Sequence, residues 1–249
     1  MLLLALARRR AYTVAGKHVL ITGGSSGIGK ALAREVLKRG ASIVTLLARD
    51  KEKLRVAVSE LEGEFPDRKV KSISADISKS SVKTVLEEEC NSCPVDVLVN
   101  CAGVTTTALL EEIPHSKVEE LVNINLLGSI YVTQALLPLF KKRNGGAIVF
   151  ISSQAGQLGL YGYTVYCATK YALRGLAESL QMEVMPYKVS ISISFPPDTE
   201  TPQLVDERLL RSDIVNQLTS FGTVVLWNES IQPAFGIVLL KCSVPDCAV

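Results

Sequence analysis

The chain has 249 residues, 47% hydrophobic and 21% charged, enough for one large α/β core and unlike a disordered, collagenous or coiled-coil chain. Lys plus Arg number 27 against 25 for Asp plus Glu, a net charge of +2, which gives no electrostatic case for a nucleic-acid partner. Mean hydropathy is +0.26, so the question is whether a membrane or a buried sheet accounts for it.

In chain order, Met1 to Ala7 is apolar and Arg8, Arg9 and Arg10 follow at once. That is the reverse of a secretory signal, and no apolar run approaches the ~20 residues of a spanning helix. The start reads as a frayed terminus or an interfacial anchor. From residue 17, short apolar runs alternate with amphipathic stretches. Strands are expected at Lys17–Thr22, Ala41–Leu47, Val70–Ser74, Val95–Asn100, Ala147–Ser152 and Lys188–Phe195. Helices are expected between them at Ile28–Arg39, Lys51–Glu62, Ser80–Cys90, Ser116–Lys142 and Val165–Met185. Near-continuous Val, Ile and Leu in the strands fits a sheet covered on both faces. This predicts a single-domain α/β chain, a doubly wound parallel-sheet Rossmann fold, whose buried strands explain the positive hydropathy.

After Pro202, Gln203–Leu218 reads as helical, and Phe221–Trp227 and Gly236–Leu240 as short apolar runs. The chain therefore divides into an N-terminal segment 1–16, a core 17–202 and an atypical C-terminal segment 203–249. The sequon Asn228-Glu229-Ser230 is read as a chance match. Cys90-Asn91-Ser92-Cys93 lacks further soft ligands, since His18 and His115 are not at ligand spacing. No metal site is expected, and the six cysteines are read as reduced thiols.

The first strand runs into Thr22-Gly23-Gly24-Ser25-Ser26-Gly27-Ile28-Gly29 and then a helix. Gly23, Gly27 and Gly29 allow a tight turn and a close backbone approach to a pyrophosphate, and Ser25 and Ser26 add hydroxyls. Twenty residues after Gly29 stands Arg49, with Lys53 one turn later, a pair suited to a 2′-phosphate and hence to NADPH/NADP. Asp50 is a ribose acid or a helix cap. Asp76, past the third strand, accepts from an adenine amino group or caps the next helix. Asn100-Cys101-Ala102-Gly103 ends the fourth strand with small residues that let a cofactor lie close.

Tyr166 and Lys170 lie one helical turn apart, and Ser153 is thirteen residues before Tyr166 at the end of the fifth strand. A nearby cation favours the phenolate, so Lys170 is expected to lower the Tyr166 pKa and let the phenol exchange a proton with a carbonyl. Asn125, inside the long fourth crossover, is expected to satisfy backbone groups in a bent helix and to hold a water for proton relay.

Together these motifs, in this order over residues 17–202, resemble the short-chain dehydrogenase/reductase family. The resemblance implies that Tyr166 donates or accepts the proton, Lys170 binds the nicotinamide ribose, Ser153 orients the carbonyl and Asn125 supports the relay. It also places Gly23, Ser25, Ser26, Gly27, Ile28, Gly29, Arg49, Lys53, Asp76, Asn100, Ala102, Gly103, Pro196 and Thr201 against the cofactor.

Stretches from Ser152 to Leu160, Arg174 to Glu178, Leu180 to Val184 and Pro196 to Pro202 are similar to the branch that reduces the 3-ketone of long-chain sphingoid bases. That implies a lipid ketone substrate, an endoplasmic reticulum membrane surface on its cytosolic side, and a homodimer or homotetramer. Members of that branch carry a long apolar anchor and a longer C-terminal part. The segment 203–249 is accordingly expected to complete or replace the substrate lid. Alternatives are a catalytically silent cofactor- or partner-binding variant, or a reductase of another apolar carbonyl such as a steroid or retinoid.

Overall fold

The computed structural model describes residues 12–209 and 211–219. The elements run β1 (His18–Thr22), α1 (Gly27–Lys38), β2 (Ile43–Ala48), α2 (Lys51–Glu64), β3 (Lys69–Ser74), α3 (Val82–Ser92) and β4 (Val97–Asn100). They continue with α4 (His115–Leu121), α5 (Ser129–Arg143), β5 (Gly146–Ile151), α6 (Thr164–Val184), β6 (Val189–Ser194), α7 (Pro202–Arg208) and α8 (Asp213–Thr219). The six strands form one sheet in the order β3-β2-β1-β4-β5-β6, and every pairing is parallel. This is the expected doubly wound sheet. Its order reverses direction between β1 and β4, which opens a crevice beyond the strands' carboxyl ends.

Alternation along the strands divides the core into two layers. Val19, Ile21, Val44, Leu46, Val97 and Val99 pack with Leu32 and Val36 of α1 and Leu54 and Leu61 of α2. Leu20, Leu98, Ile148 and Phe150 face the other way, onto Leu86 of α3, Leu136 and Phe140 of α5, and Leu173 and Leu180 of α6. Each layer needs the sheet to bury its helices' apolar stripes, and the sheet needs both. Gly40 (φ +90°) then ends the α1 turn, and Ala41 N–H donates back to Val36 at 2.9 Å.

The fourth crossover departs from the expected uninterrupted helix. Between α4 and α5 the chain makes a π turn over Val122–Gly128. A Cβ at Gly128 would lie 2.7 Å from Ile77 Cδ1, so this turn presses against the segment after β3. By length and composition the continuous helix His115–Arg143 could cross a membrane, with a mean hydropathy of 1.3, but 50% of that window is buried. Its Val132, Leu136 and Phe140 belong to the second core layer, and the fold alone accounts for them.

The helix expected over Gln203–Leu218 is two helices, Pro202–Arg208 and Asp213–Thr219, with the Arg211 side chain turned inward and 5% exposed. Met1–Ala7, the three following arginines, Phe221–Trp227, Gly236–Leu240 and the sequon lie outside the described residues. Among the described residues, Cys90, Cys93, Cys101 and Cys167 are free, and no group of ligands suits a metal. The fold does bring His18 to Cys93, with Nδ1 at 3.5 Å from Sγ. His18 also meets the Pro94 carbonyl through Nδ1 and Thr45 Oγ1 through Nε2. A carbonyl can only accept, so Nδ1 carries the proton and the ring is a satisfied, neutral core group.

Candidate active site

β1 ends at Thr22, which is 1% exposed. Its Oγ1 accepts from the Cys101 and Ala102 N–H groups, each at 2.9 Å, and so clamps the loop after β4 to the loop after β1. Gly23 (φ +68°) completes the joint: a Cβ there would stand 2.9 Å from Ala102 Cα. At Gly29 a Cβ would fall 2.3 Å from the Gly23 oxygen. Both glycines are therefore required by close approach, and the loop is a fitted cradle opening onto the α1 N-terminus. Ser26 occupies the α1 N-cap with no side-chain capping bond, so its hydroxyl is not used by its own helix. Such a terminus concentrates N–H donors and positive potential.

One cavity of about 340 Å³ lies beyond the sheet's carboxyl edge. Gly23, Ser25, Ser26, Gly27, Ile28, Gly29, Arg49, Lys53, Asp76, Ala102, Gly103, Ser153, Tyr166, Lys170, Pro196 and Thr201 all border it. Asn100 and Asn125 do not. Asn100 is 2% exposed, and its Nδ2 donates to Thr133 Oγ1 at 3.0 Å, tying the end of β4 to α5. Small residues follow it, and a Cβ on Gly103 would touch Asn125 Oδ1 at 3.3 Å and Lys170 Nζ at 3.4 Å.

At the β2 side of the cavity, Asp50 is the N-cap of α2, its Oδ1 accepting from Lys53 N–H at 2.9 Å. The capping reading is thus seen in the structure, while the residue also borders the cavity. Asp76 Oδ1 accepts from Ser78 N–H at 3.0 Å in a turn, while the residue also borders the cavity. Burial acts to raise the Asp76 pKa, but the Ser78 hydrogen bonds and the Arg49 charge outweigh it and hold the carboxyl below its ordinary value. Arg49 and Lys53 take part in no ion pair among the described residues, which leaves two cations facing this end of the cavity. Thr201 caps α7 through Oγ1, and Pro196 accepts from Gln154 N–H at 3.1 Å, which shapes the opposite wall.

At the β5 side, Ser153, Tyr166 and Lys170 converge. A Cβ at Gly156 would lie 2.4 Å from Ser152 Oγ and 2.9 Å from the Lys170 carbonyl oxygen, so the chain after β5 packs directly on α6. Ser152 Oγ donates to that carbonyl at 3.0 Å, and Ser153 hydrogen-bonds Tyr166. Lys170 is 5% exposed, donates to the Ile151 carbonyl at 3.1 Å, and sits 5.6 Å from the Tyr166 ring centroid. Burial pushes its pKa down to about 8, offset in part by Cys101.

The expectation that Lys170 would set the tyrosine pKa is modified here. In the protein alone burial is the largest influence and raises the Tyr166 phenol above its ordinary value, while the Ser153 hydrogen bond pulls it down. The phenol is consequently in its protonated, donating form at neutral pH.

Asn125 is 1% exposed and sits in the π turn. Its Oδ1 accepts from Val104 N–H at 2.8 Å, and its Nδ2 donates to the Val104 carbonyl at 2.9 Å and to Thr169 Oγ1 at 3.1 Å. Thr169 in turn donates to the Tyr166 carbonyl at 2.8 Å. The amide thus fixes the loop after β4 and the turn of α6 that carries Tyr166. Both its side-chain polar atoms are bonded to protein, two of the bonds reaching the Val104 backbone.

Several residues carry site roles that no motif reveals: the clamp at Thr22, the Thr169 link, and an ionic cluster behind Tyr166. There, Glu207 Oε1 accepts from the Tyr163 hydroxyl and from Arg211, whose Nη2 lies 2.6 Å from it and 3.1 Å from Asp198 Oδ2. The Tyr163 and Tyr166 ring centroids are 6.1 Å apart. The one available signal was the four-residue spacing of Glu207 and Arg211, which also describes an ordinary solvated pair.

Residues 17–209 match a family profile described as "short chain dehydrogenase". A bovine protein named 3-ketodihydrosphingosine reductase is 46% identical over 213 residues, covering 82% of this chain and 64% of that one. A zebrafish (Danio rerio) protein named 3-dehydrosphinganine reductase is 47% identical over 197 residues, covering 77% and 59%. The match thus spans less than two thirds of either relative's length. Among solved structures, a short-chain dehydrogenase from Sphingobium yanoikuyae in complex with NADPH superposes with a TM-score of 0.78 at 27% identity, covering 88% of this chain and 83% of that one.

Proposed function

Because the chain belongs to the short-chain dehydrogenase family, we propose that it is an NADPH-dependent reductase acting on the 3-ketone of a long-chain sphingoid base. The observation that carries the chemistry is the convergence of Ser153, Tyr166 and Lys170 on the cavity that the glycine loop also borders. The substrate reading rests on relatives named for that reaction at 46–47% identity. The same resemblance favours work at the cytosolic face of the endoplasmic reticulum membrane.

The residues present suit the cofactor. The Gly23–Gly29 cradle admits a pyrophosphate where a Cβ would collide, and Arg49 with Lys53 supply the charge for a 2′-phosphate. When bound, NADPH supplies the hydride that reduces the ketone carbon. Tyr166 donates its phenolic proton to the keto oxygen, which it can do because burial keeps the phenol protonated. Ser153, hydrogen-bonded to Tyr166, holds the same oxygen in line. Lys170, still largely charged below pH 8, stabilises the phenolate that remains. Asn125 and Thr169 keep the Tyr166 turn fixed, and general acid help of this kind is worth roughly 10²–10⁴-fold.

The test is NADPH oxidation by the purified chain with 3-ketosphinganine, a steroid ketone and a short ketone. The sphingoid ketone should be reduced fastest, and Tyr166→Phe should lose at least about a hundredfold in kcat while still binding NADPH. Wild-type turnover in Tyr166→Phe would remove the proposed acid. Preference for the steroid would move the substrate class, and cofactor binding without any turnover would favour a silent variant.

A further inference from the structure

Charges line the cavity unevenly. Arg49 and Lys53 follow β2 beside Asp50 and Asp76, Lys170 stands at the β5 side, and beyond β6 the charges bordering it are the carboxylates Asp198 and Glu207. Among the described residues these two carboxylates form ion pairs with one cation, Arg211, next to Tyr163.

The cluster is not a surface pair. The Arg211 and Glu207 side chains are 5% and 11% exposed, so their charges are poorly screened. All the hydrogen bonds to Glu207 from Tyr163 and Arg211 end on Oε1, and those from Arg211 to Asp198 on Oδ2. Glu207 is thereby fixed in orientation while its second oxygen takes no bond among the described residues. A carboxylate held this way on the wall of a reacting pocket repels anionic substrates and attracts cationic ones.

We infer that Glu207, with Asp198, is a specificity-determining pair that recognises a cationic amine adjacent to the substrate's reacting carbon. The inference rests on the reductase reading of this cavity and narrows it to ketones that carry a protonated amine next to the carbonyl. A sphingoid-base ketone has that arrangement; a steroid, a retinoid or an acyl thioester does not. Tyr163 acts through Glu207 and is a positioning residue, with its hydroxyl fixing the carboxylate that faces the pocket.

The test compares binding of sphinganine with that of the same long-chain diol lacking the amine, each titrated into the full NADP-loaded chain by calorimetry. Wild type should hold the amine at least about tenfold tighter, and Glu207→Gln should bring the two ligands close to equal affinity. Asp198→Asn, altering a side chain that is 42% exposed, should weaken the preference in the same direction but less. NADP binding by each variant shows that the fold is retained, and Asp198→Asn decides the matter if Glu207→Gln does not fold. Equal losses for both ligands would reduce the cluster to a structural latch. No preference in wild type, or no binding of either ligand, would overturn the inference. Ketone turnover is read separately: turnover without amine preference refutes the cation contact and leaves the reductase reading standing, and amine preference without turnover does the reverse.

Discussion

Replacing Gly29 by Ala isolates the close approach on which the cofactor cradle depends. The added Cβ would lie 2.3 Å from the Gly23 oxygen, 2.7 Å from the Gly23 carbonyl carbon and 3.1 Å from Gly24 Cα. Carbon atoms prefer separations of about 3.5–4.0 Å, so the loop must retreat by roughly 1 Å. All three atoms are backbone, and no side chain can swing away to absorb the methyl. Overpacking of this kind costs about 1–3 kcal/mol, against which Ala in a helix recovers about 1 kcal/mol. The net loss of up to about 2 kcal/mol should lower Tm by up to roughly 8 °C in a chain of this size. The displaced segment is the one proposed to cradle the pyrophosphate, so NADPH Kd should rise at least about tenfold. Gly175→Ala is the matched control: it is exposed in α6 with nothing within 4 Å of its Cβ position, and should raise Tm by about 2–3 °C with unchanged Kd. Thermal unfolding and NADPH fluorescence titration read both variants. A Gly29→Ala protein matching the control in both measurements would refute the steric reasoning.

Three further outcomes follow from charge. Arg49→Ala combined with Lys53→Ala should cut the ratio of kcat/KM for NADPH over NADH by about tenfold or more, because the 2′-phosphate loses both partners; an unchanged ratio means that neither residue holds it. For Lys170, held at about 8, the charged fraction falls as pH rises, so ketone reduction should decline above about pH 8. In Lys170→Met the residual rate should lack that descending limb, and a limb that persists belongs to another group. His18 is held neutral, its pKa lowered first by desolvation. The unfolded chain therefore binds a proton that the native chain resists, and stability should fall as pH drops below about 6.5. Urea unfolding across that range should show this slope in wild type and not in His18→Gln, whereas identical slopes would assign the dependence elsewhere.

What could be read from the sequence was whatever lies close together along it. The β1 loop, the Tyr166–Lys170 turn and Ser153 are short motifs, and hydropathy placed each at a strand end or on a helix, so their order pointed to one sheet edge. Asp50 and Asp76 show where this stops. Each had a capping and a ligand reading; in the fold Asp50 caps α2 and Asp76 closes a turn, yet both also border the cavity, so one carboxylate can serve both. Asn125 was legible as a site residue, but its role depended on Val104 and Thr169, 21 and 44 positions away, and on a π turn that no periodicity announces.

The acidic cluster is the strongest instance. Glu207 and Arg211 at four-residue spacing read as a solvated helix pair worth a few tenths of a kcal/mol. The chain instead breaks its helix after Arg208, and Arg211 turns inward to bridge carboxylates that are nine positions apart in sequence. The spacing is the same in either case. What changes is the dielectric: two anions sharing one cation on the wall of a pocket bias what enters it, whereas the same three charges in water bias almost nothing. On the inference drawn from Glu207 and Asp198, substrate preference in this chain depends on burial after β6, the region where the sequence pattern was weakest and the local motifs had ended.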